Sequence, residues 1–348
     1  MTDHSSKHIV VYRLSALGDV AMAAVVIKEV LKQNPDLTVT MVSHKSFAGL
    51  FMGIDRLQFL GVDKRGKHSG ILGLYKLFKE IKEFKPIAFA DLHGVIRSYI
   101  LGFLFSVSRM KVAKIGKGRT AKNKLVRRNN KVMKALKPSF QRYADVFTEL
   151  DLTVELENQL VKRQYQLNQK LRVYKNTDEN LIGIAPFARH KAKRMPFEKA
   201  EAVIEALSQL PNCRVLLFGG GQVEEEKLME LADGLDSVDS VAGKLSMADE
   251  LDLMSRLSVM VSMDSANMHL ASLAGTPVVS VWGATHPYAG FLGYGQSFAD
   301  TVQDDIECRP CSVFGNKVCW RGDYACLHNI DPQEILVKVS KKLTEQKD

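Results

Sequence analysis

The sequence has no apolar run long enough to cross a bilayer: its longest, Tyr99 to Val107, falls far short of the roughly twenty residues a spanning helix needs. The opening segment, Met1 to His8, is polar and does not read as a signal peptide. Cysteine is scarce, five in 348 residues, so a disulfide-stapled secreted scaffold is not expected. Several motifs are missing. There is no G-x-x-x-x-G-K-[ST] loop, no G-x-S-x-G elbow and no H-E-x-x-H. Gly219-Gly220-Gly221 does not complete a G-x-G-x-x-G fingerprint, and no carboxylate pair reads as the D-x-D of a metal-dependent transferase. A P-loop nucleotidase, a serine hydrolase of the elbow type, a zincin and a conventional dinucleotide enzyme are thereby disfavoured. These absences leave a soluble, cytoplasmic protein, with peripheral contact at the inner face of an inner membrane left open.

What is present is 46% apolar and 25% charged, enough for sizeable cores. A length of 348 residues suits two domains better than one. The net charge of +9 is uneven: residues 1–150 hold 27 basic and 11 acidic side chains, the rest 21 and 28. From Arg109 to Arg142 there are thirteen basic residues and no acidic one. Such a run predicts a surface for a polyanion, or simply a solvated basic face.

Short apolar runs alternate with helical patterns, the rhythm of parallel α/β layers. Strands are expected at His8–Leu14, Leu37–Val42, Ile87–Leu92, Leu181–Ala185, Arg214–Phe218, Val259–Ser262 and Pro277–Trp282. Helices are expected at Val20–Gln33, Leu72–Phe84, Val95–Val107, Phe197–Leu210, Glu224–Ala232, Ser265–Ala274 and Asp331–Gln346. In Leu72–Phe84, Leu74, Leu77, Phe78 and Ile81 recur at helical spacing, which favours packing on a sheet over lying on a membrane. The polar stretch from about Tyr165 to Asn180 reads as a linker. Two doubly wound units imply a cleft, with ligands at the carboxyl ends of strands.

Five segments then stand out. Arg13-Leu-Ser15-Ala-Leu-Gly18-Asp19 puts a carboxylate at a helix start, suited equally to capping and to accepting a proton. Asp264-Ser265-Ala266-Asn267-Met268-His269 opens another helix, whose free amides can hold a diphosphate; a capped core helix with a buried histidine fits as well. Arg189-His-Lys191-Ala-Lys193-Arg194 follows a strand and offers cations to a phosphate-rich donor. Asp91-Leu-His93-Gly94-Val-Ile-Arg97-Ser98 offers His93 and Arg97 to an acidic acceptor. Cys308, Cys311, Cys319 and Cys326 fit either a structural zinc site or packed thiols.

Together these segments resemble the heptosyltransferase family, glycosyltransferase family 9, from about Ile9 to Ile330. The resemblance implies a GT-B architecture: two Rossmann-like doubly wound domains facing across a cleft. An acceptor-binding domain would span 1–170, a nucleotide-sugar domain 171–330, and a C-terminal helix 331–348. It makes Asp19 the general base and Ser15, Gly18, His93 and Arg97 acceptor-side residues. It makes Lys193 a phosphate contact, Glu224 a nucleoside contact, and Asp264, Ser265, Ala266 and His269 a donor site. The implied reaction is inverting transfer of heptose from ADP-heptose to the inner core of lipopolysaccharide, with no cofactor and no catalytic metal. The partners are then a nucleotide sugar and a lipid-linked anionic glycan, and no nucleic acid. Ala266 replaces the family's usual glycine, Phe187-Ala188 replaces small hydroxyl residues, and Met195 replaces a tryptophan. Alternatives are the same fold using another nucleotide sugar, a binding protein without catalysis, and a nucleic-acid-binding protein using 109–142. Against the last, aromatics do not interleave the basic run.

Overall fold

The computed structural model describes residues 7–163, 171 and 179–345. By contacts the chain divides into two units. One holds the residues up to Gly118 together with Pro138–Glu157; the other holds Arg119–Lys137 and the residues from Asn158 onward. The expected linker from Tyr165 lies outside the described residues except at 171, 179 and 180.

The first unit opens with β1 (Lys7–Tyr12), α1 (Leu17–Gln33), β2 (Leu37–His44) and β3 (Leu57–Val62). It continues through α2 (Gly70–Glu83), β4 (Ala88–Asp91), α3 (Ile96–Val107) and β5 (Lys111–Lys114). The chain then leaves for α4 (Arg119–Val126), which belongs with the second unit, and returns as α5 (Ser139–Thr148). The five strands form a parallel sheet ordered β3-β2-β1-β4-β5. The central strand His8-Ile-Val-Val-Tyr12 is nearly continuous in apolar residues because a parallel sheet is covered on both faces. Val10, Tyr12 and Phe89 pack under α2 and α3, which bring Leu74, Leu77, Phe78, Leu101 and Phe105. Alternation turns Ile9 and Val11 to the other face.

The second unit runs β6 (Asn180–Ala185), α6 (Phe197–Ser208), β7 (Cys213–Leu217), α7 (Gln222–Ala232) and β8 (Val238–Ser240). It continues α8 (Met247–Arg256), β9 (Val259–Met263), α9 (Ala266–Ala274), β10 (Val278–Trp282) and β11 (Thr301–Gln303). It ends with a short α10 (Ala325–His328) and α11 (Pro332–Glu345). All six strands are parallel, ordered β11-β10-β9-β6-β7-β8. The C-terminal helix α11 packs on α6 and on β9 and β10, and its Ile335 and Val339 enter the same core as Ile182 and Val261.

Three features differ from the reading of the sequence. First, α1 starts at Leu17 with Ala16 at its cap, so Asp19 lies inside the first turn. Second, β3, β5, β8, β11, α4, α5 and α8 were not foreseen. Third, residues 119–137, read as part of the basic first domain, pack with the second unit. There Leu125 and Val126 meet Ala289, the Lys122 amine lies 4.1 Å from the Phe291 ring centroid, and Arg128 stacks 4.2 Å over Trp320. Lys131 Nζ donates to the carbonyls of Glu307 (2.6 Å) and Arg309 (3.0 Å). This part of the basic run is a strap, not a free arm.

Candidate active site

In each sheet the strand order reverses once, between β1 and β4 in the first and between β6 and β9 in the second. Loops leaving two such neighbours diverge to opposite faces and open a crevice at the strands' carboxyl ends. The candidate residues lie on these loops.

In the first unit, Arg13 directly follows β1 with its guanidinium buried. It forms an ion pair with Asp19 (Nη2–Oδ2 2.6 Å), donates to the Leu92 carbonyl and lies 5.4 Å over the Tyr143 ring. Tyr143, from α5, donates its hydroxyl to Asp19 Oδ1 at 3.3 Å, and the Ala16 amide donates to Oδ2 at 3.3 Å. Burial keeps the Tyr143 phenol protonated, so it acts as a donor. Asp19 is thus clamped from three sides, yet its side chain retains 27% exposure, so it can meet a ligand. Ser15 is half-buried on the loop before α1, and Gly18 is buried in the first turn.

On the adjacent loop, buried Asp91 accepts from the amides of His93 and Gly94 (both 2.8 Å) and from Ser98 Oγ (2.6 Å). Asp91 and Ser98 therefore shape the loop. Gly94, at φ +60°, makes the turn and leaves room for the Lys117 side chain. His93 Nδ1 accepts from the Leu14 amide (3.4 Å), which leaves the proton on Nε2. Burial, with Arg13 and Lys117 nearby, pushes the His93 pKa down to about 4. With its pKa lowered, the imidazole meets an acidic group as a neutral N–H donor. Arg97 donates to the His68 carbonyl at 2.6 Å.

In the second unit, the loop after β6 ends in a 3-10 turn at Lys191–Lys193. Lys193 Nζ meets Asp264 Oδ2 at 3.2 Å, and the Thr285 hydroxyl donates to the same oxygen at 2.7 Å. Both partners of the ion pair are well shielded, at 15% and 7% exposure, so the pair fixes the lysine in place. Ser265 caps α9 by accepting from the Asn267 amide (3.3 Å), while Ser265 and Ala266 stay half-exposed. His269 is buried one turn into α9. Glu224 folds back so that Oε2 accepts from the Gly220 amide (3.3 Å), and Glu225 does the same for Gly221 (3.1 Å). Of the departures from the family pattern, Phe187, Ala188 and Met195 are core residues.

The cysteine-rich loop builds around Lys193. A Cβ on Gly315 would come within 2.4 Å of the Lys193 Cγ, so glycine there lets the lysine stem pass. Arg309, buried, donates to the carbonyls of Gly283 (2.5 Å) and Thr285 (2.9 Å) and ties this loop to the one after β10. Cys308, Cys311, Cys319 and Cys326 are free thiols. Among the described residues no three His, Cys, Asp or Glu side chains gather as metal donors. Burial raises Cys311 and pushes Cys326 up to about 12, and Cys326 packs in the core. The zinc reading of this cluster gains no support from the geometry.

Sequence reading missed Tyr143, Thr285, Arg309 and Gly315. Thr285 was reachable, because it lies on the loop that leaves a strand. Tyr143 carries no local signal, since α5 reaches Asp19 only through the fold.

A profile of glycosyltransferase family 9 (heptosyltransferase) matches residues 75–318. Lipopolysaccharide heptosyltransferase 1 of Campylobacter coli is 23% identical over 351 residues, covering 96% of this chain and 98% of the relative. Lipopolysaccharide core heptosyltransferase OpsX of Haemophilus influenzae is 23% identical over 287 residues, covering 81% of this chain and 80% of the relative. Among solved structures, a family 9 glycosyl transferase from Veillonella parvula superposes with a TM-score of 0.74 at 20% identity, covering 98% of both chains. ADP-heptose lipopolysaccharide heptosyltransferase II of Escherichia coli gives 0.69 at 17% identity, covering 98% of this chain and all of that one. The likeness to these structures, with a parallel-sheet α/β unit in each half of the chain, gives the fold as GT-B. The match over most of its length and the order of the site segments along it settle the assignment: the chain belongs to glycosyltransferase family 9, the heptosyltransferases.

Proposed function

We propose that this enzyme transfers a heptose from ADP-heptose to a hydroxyl of the lipopolysaccharide inner core, with inversion and with no metal taking part. The family assignment supports the sugar class, and the Escherichia coli relative carries ADP-heptose in its name. The observation that carries the reading is Asp19, exposed yet held by Arg13 and Tyr143 at the switch point of the first sheet.

Asp19 accepts the proton of the acceptor hydroxyl, whose oxygen attacks the anomeric carbon opposite the departing ADP. A carboxylate paired with a guanidinium is a weak base. The proton therefore moves as the new C–O bond forms and the hydroxyl becomes acidic. Arg13 keeps its own proton and fixes the carboxylate's direction. Breaking the bond to the diphosphate leaves charge on ADP. Lys193, the amides of Ser265 and Ala266 at the start of α9, and the His269 ring receive it. Asp264 holds Lys193, and Glu224 releases Gly220 to meet the nucleoside. Ser15, Gly18, His93 and Arg97 line the acceptor side, His93 as a neutral N–H donor.

Asp19→Ala tests the assignment. ADP binding by calorimetry should persist, and turnover should fall by about 10²- to 10⁴-fold. Turnover close to wild type would remove the base assignment, and a product of retained anomeric configuration by NMR would remove the inverting mechanism.

A further inference from the structure

Helix α3 is apolar on both sides. Leu101 and Phe105 face the core with no exposure, while Ile96 (77%), Phe103 (68%) and Val107 (68%) stand in solvent at helical spacing. The neighbouring α2 buries Leu74, Leu77 and Ile81 and exposes Ile71 (76%), Leu72 (79%) and Tyr75. The two helices pack side by side on one face of the sheet, so these side chains form one outer surface. A patch of this kind on a water-facing helix pair marks an interaction surface.

Charge identifies what covers it. Residues 63–117 contain twelve basic and four acidic side chains. Of the four acids, Asp63 and Glu80 are already in ion pairs and Asp91 is buried, which leaves Glu83. Lys76, Lys79 and Lys82 lie on the exposed side of α2. The Lys79 amine is 4.8 Å from the Tyr75 ring centroid, and that of Lys114 is 5.9 Å from the Tyr99 ring. A second copy of the chain would bring the same positive charge to this face and be repelled. An anionic bilayer offers the opposite charge to the lysines, a hydrocarbon boundary to Phe103 and Leu72, and an interface suited to tyrosines.

The geometry points to the outer face of α2 and α3 as the surface by which the enzyme docks on an anionic membrane. Ile96 begins α3 next to Arg97, so the docking face meets the loop that the proposed function gives to the acceptor. That link rests on the proposed function; the docking itself does not.

The test is co-sedimentation of the full chain with vesicles of phosphatidylcholine alone or mixed with phosphatidylglycerol. Wild type should pellet with the anionic vesicles and be released by salt. Lys76→Ala and Lys79→Ala should each weaken partition by about fivefold. The combined variant Leu72→Ser, Phe103→Ser, Val107→Ser should lose vesicle binding with its melting temperature unchanged, because all three side chains are exposed. The proposal is overturned if wild type ignores anionic vesicles, if both sets of variants bind like wild type, or if sedimentation shows a dimer that the triple variant dissolves. No nucleotide sugar is present in this assay. A negative result leaves the transferase reading standing, and absent turnover with ADP-heptose leaves the docking surface standing.

Discussion

Lys193 is held by a carboxylate and positioned by a hydroxyl on that carboxylate, and this fixes what its neighbours do. Asp264 was read from sequence as a donor contact; in the structure its Oδ2 faces the lysine amine and accepts the Thr285 hydroxyl. If Asp264 acts through Lys193, Asp264→Asn should lower kcat/KM by up to about a hundredfold through misplacement. Added to Lys193→Ala it should cost nothing further, a non-additivity that a double-mutant cycle on kcat/KM reads directly. Independent losses would mean that Asp264 touches the donor itself. The histidines make a second prediction. Burial pushes His93 and His286 down to about 4. The unfolded chain takes up these protons near pH 6.5 and the native protein does not, so stability falls as pH drops from 6.5 towards 4. Glu250 acts in the opposite sense. Burial pushes it up to about 7, so it favours the native state at low pH and loses that contribution as pH rises from 4.5 to 7. His93→Gln should therefore flatten the decline of melting temperature below pH 6.5, whereas Glu250→Gln should not.

Among elements, α4 departs most from its sequence signal. Eight basic side chains between residues 119 and 137 suggest a solvated arm. Instead Leu125 is fully buried, and the chain on either side is stitched down by Lys122, Arg128, Lys131 and the amide of Leu136, which donates to the Tyr288 carbonyl. Leu125→Ala should destabilise the second unit by about 2–5 kcal/mol, the usual cost of a leucine-sized cavity, visible as a lower denaturation midpoint. A midpoint within error of wild type would restore the reading of a solvated basic face. The strands that were legible, β1, β2, β4, β6, β7, β9 and β10, are short runs rich in apolar residues and mostly buried. Missed β3 is only partly buried along its length, so Leu57-Gln-Phe-Leu-Gly-Val62 lacks that signature. Missed α8 did carry one: Ser246 accepts from the Asp249 amide, a capping pattern visible in Ser-Met-Ala-Asp.

For the molecule as a whole, the strap changes the charge balance. Divided as the contacts divide it, the first unit has 19 basic and 14 acidic residues and the second 29 and 25. The surplus of sixteen positive charges in residues 1–150 becomes +5 against +4. Basicity of an entire acceptor domain thus no longer argues for an anionic acceptor. What remains is local, in the lysines of α2 and around β5. The same redistribution weakens the nucleic-acid alternative, since much of its basic run is already engaged on aromatic rings and carbonyls.

The succession of β1, β2, β4, β6, β7, β9 and β10 with α1, α2, α3, α6, α7, α9 and α11, the two strand-end loops and the candidates Asp19, Lys193 and Asp264 could be read from the sequence alone. Each depends on short-range pattern: apolar runs that need burial on both faces, and small or acidic residues where a strand gives way to a helix. Tertiary structure decided who holds whom. It brought Tyr143 to Asp19 across 124 positions and Thr285 to Asp264 across 21, and it moved 119–137 to the other unit. It also surrounded His93 so that burial, with Arg13 and Lys117 nearby, lowers its pKa. Such contacts arise from packing between segments distant along the chain, and desolvation depends on the atoms that surround a group, so neither is written in local spacing.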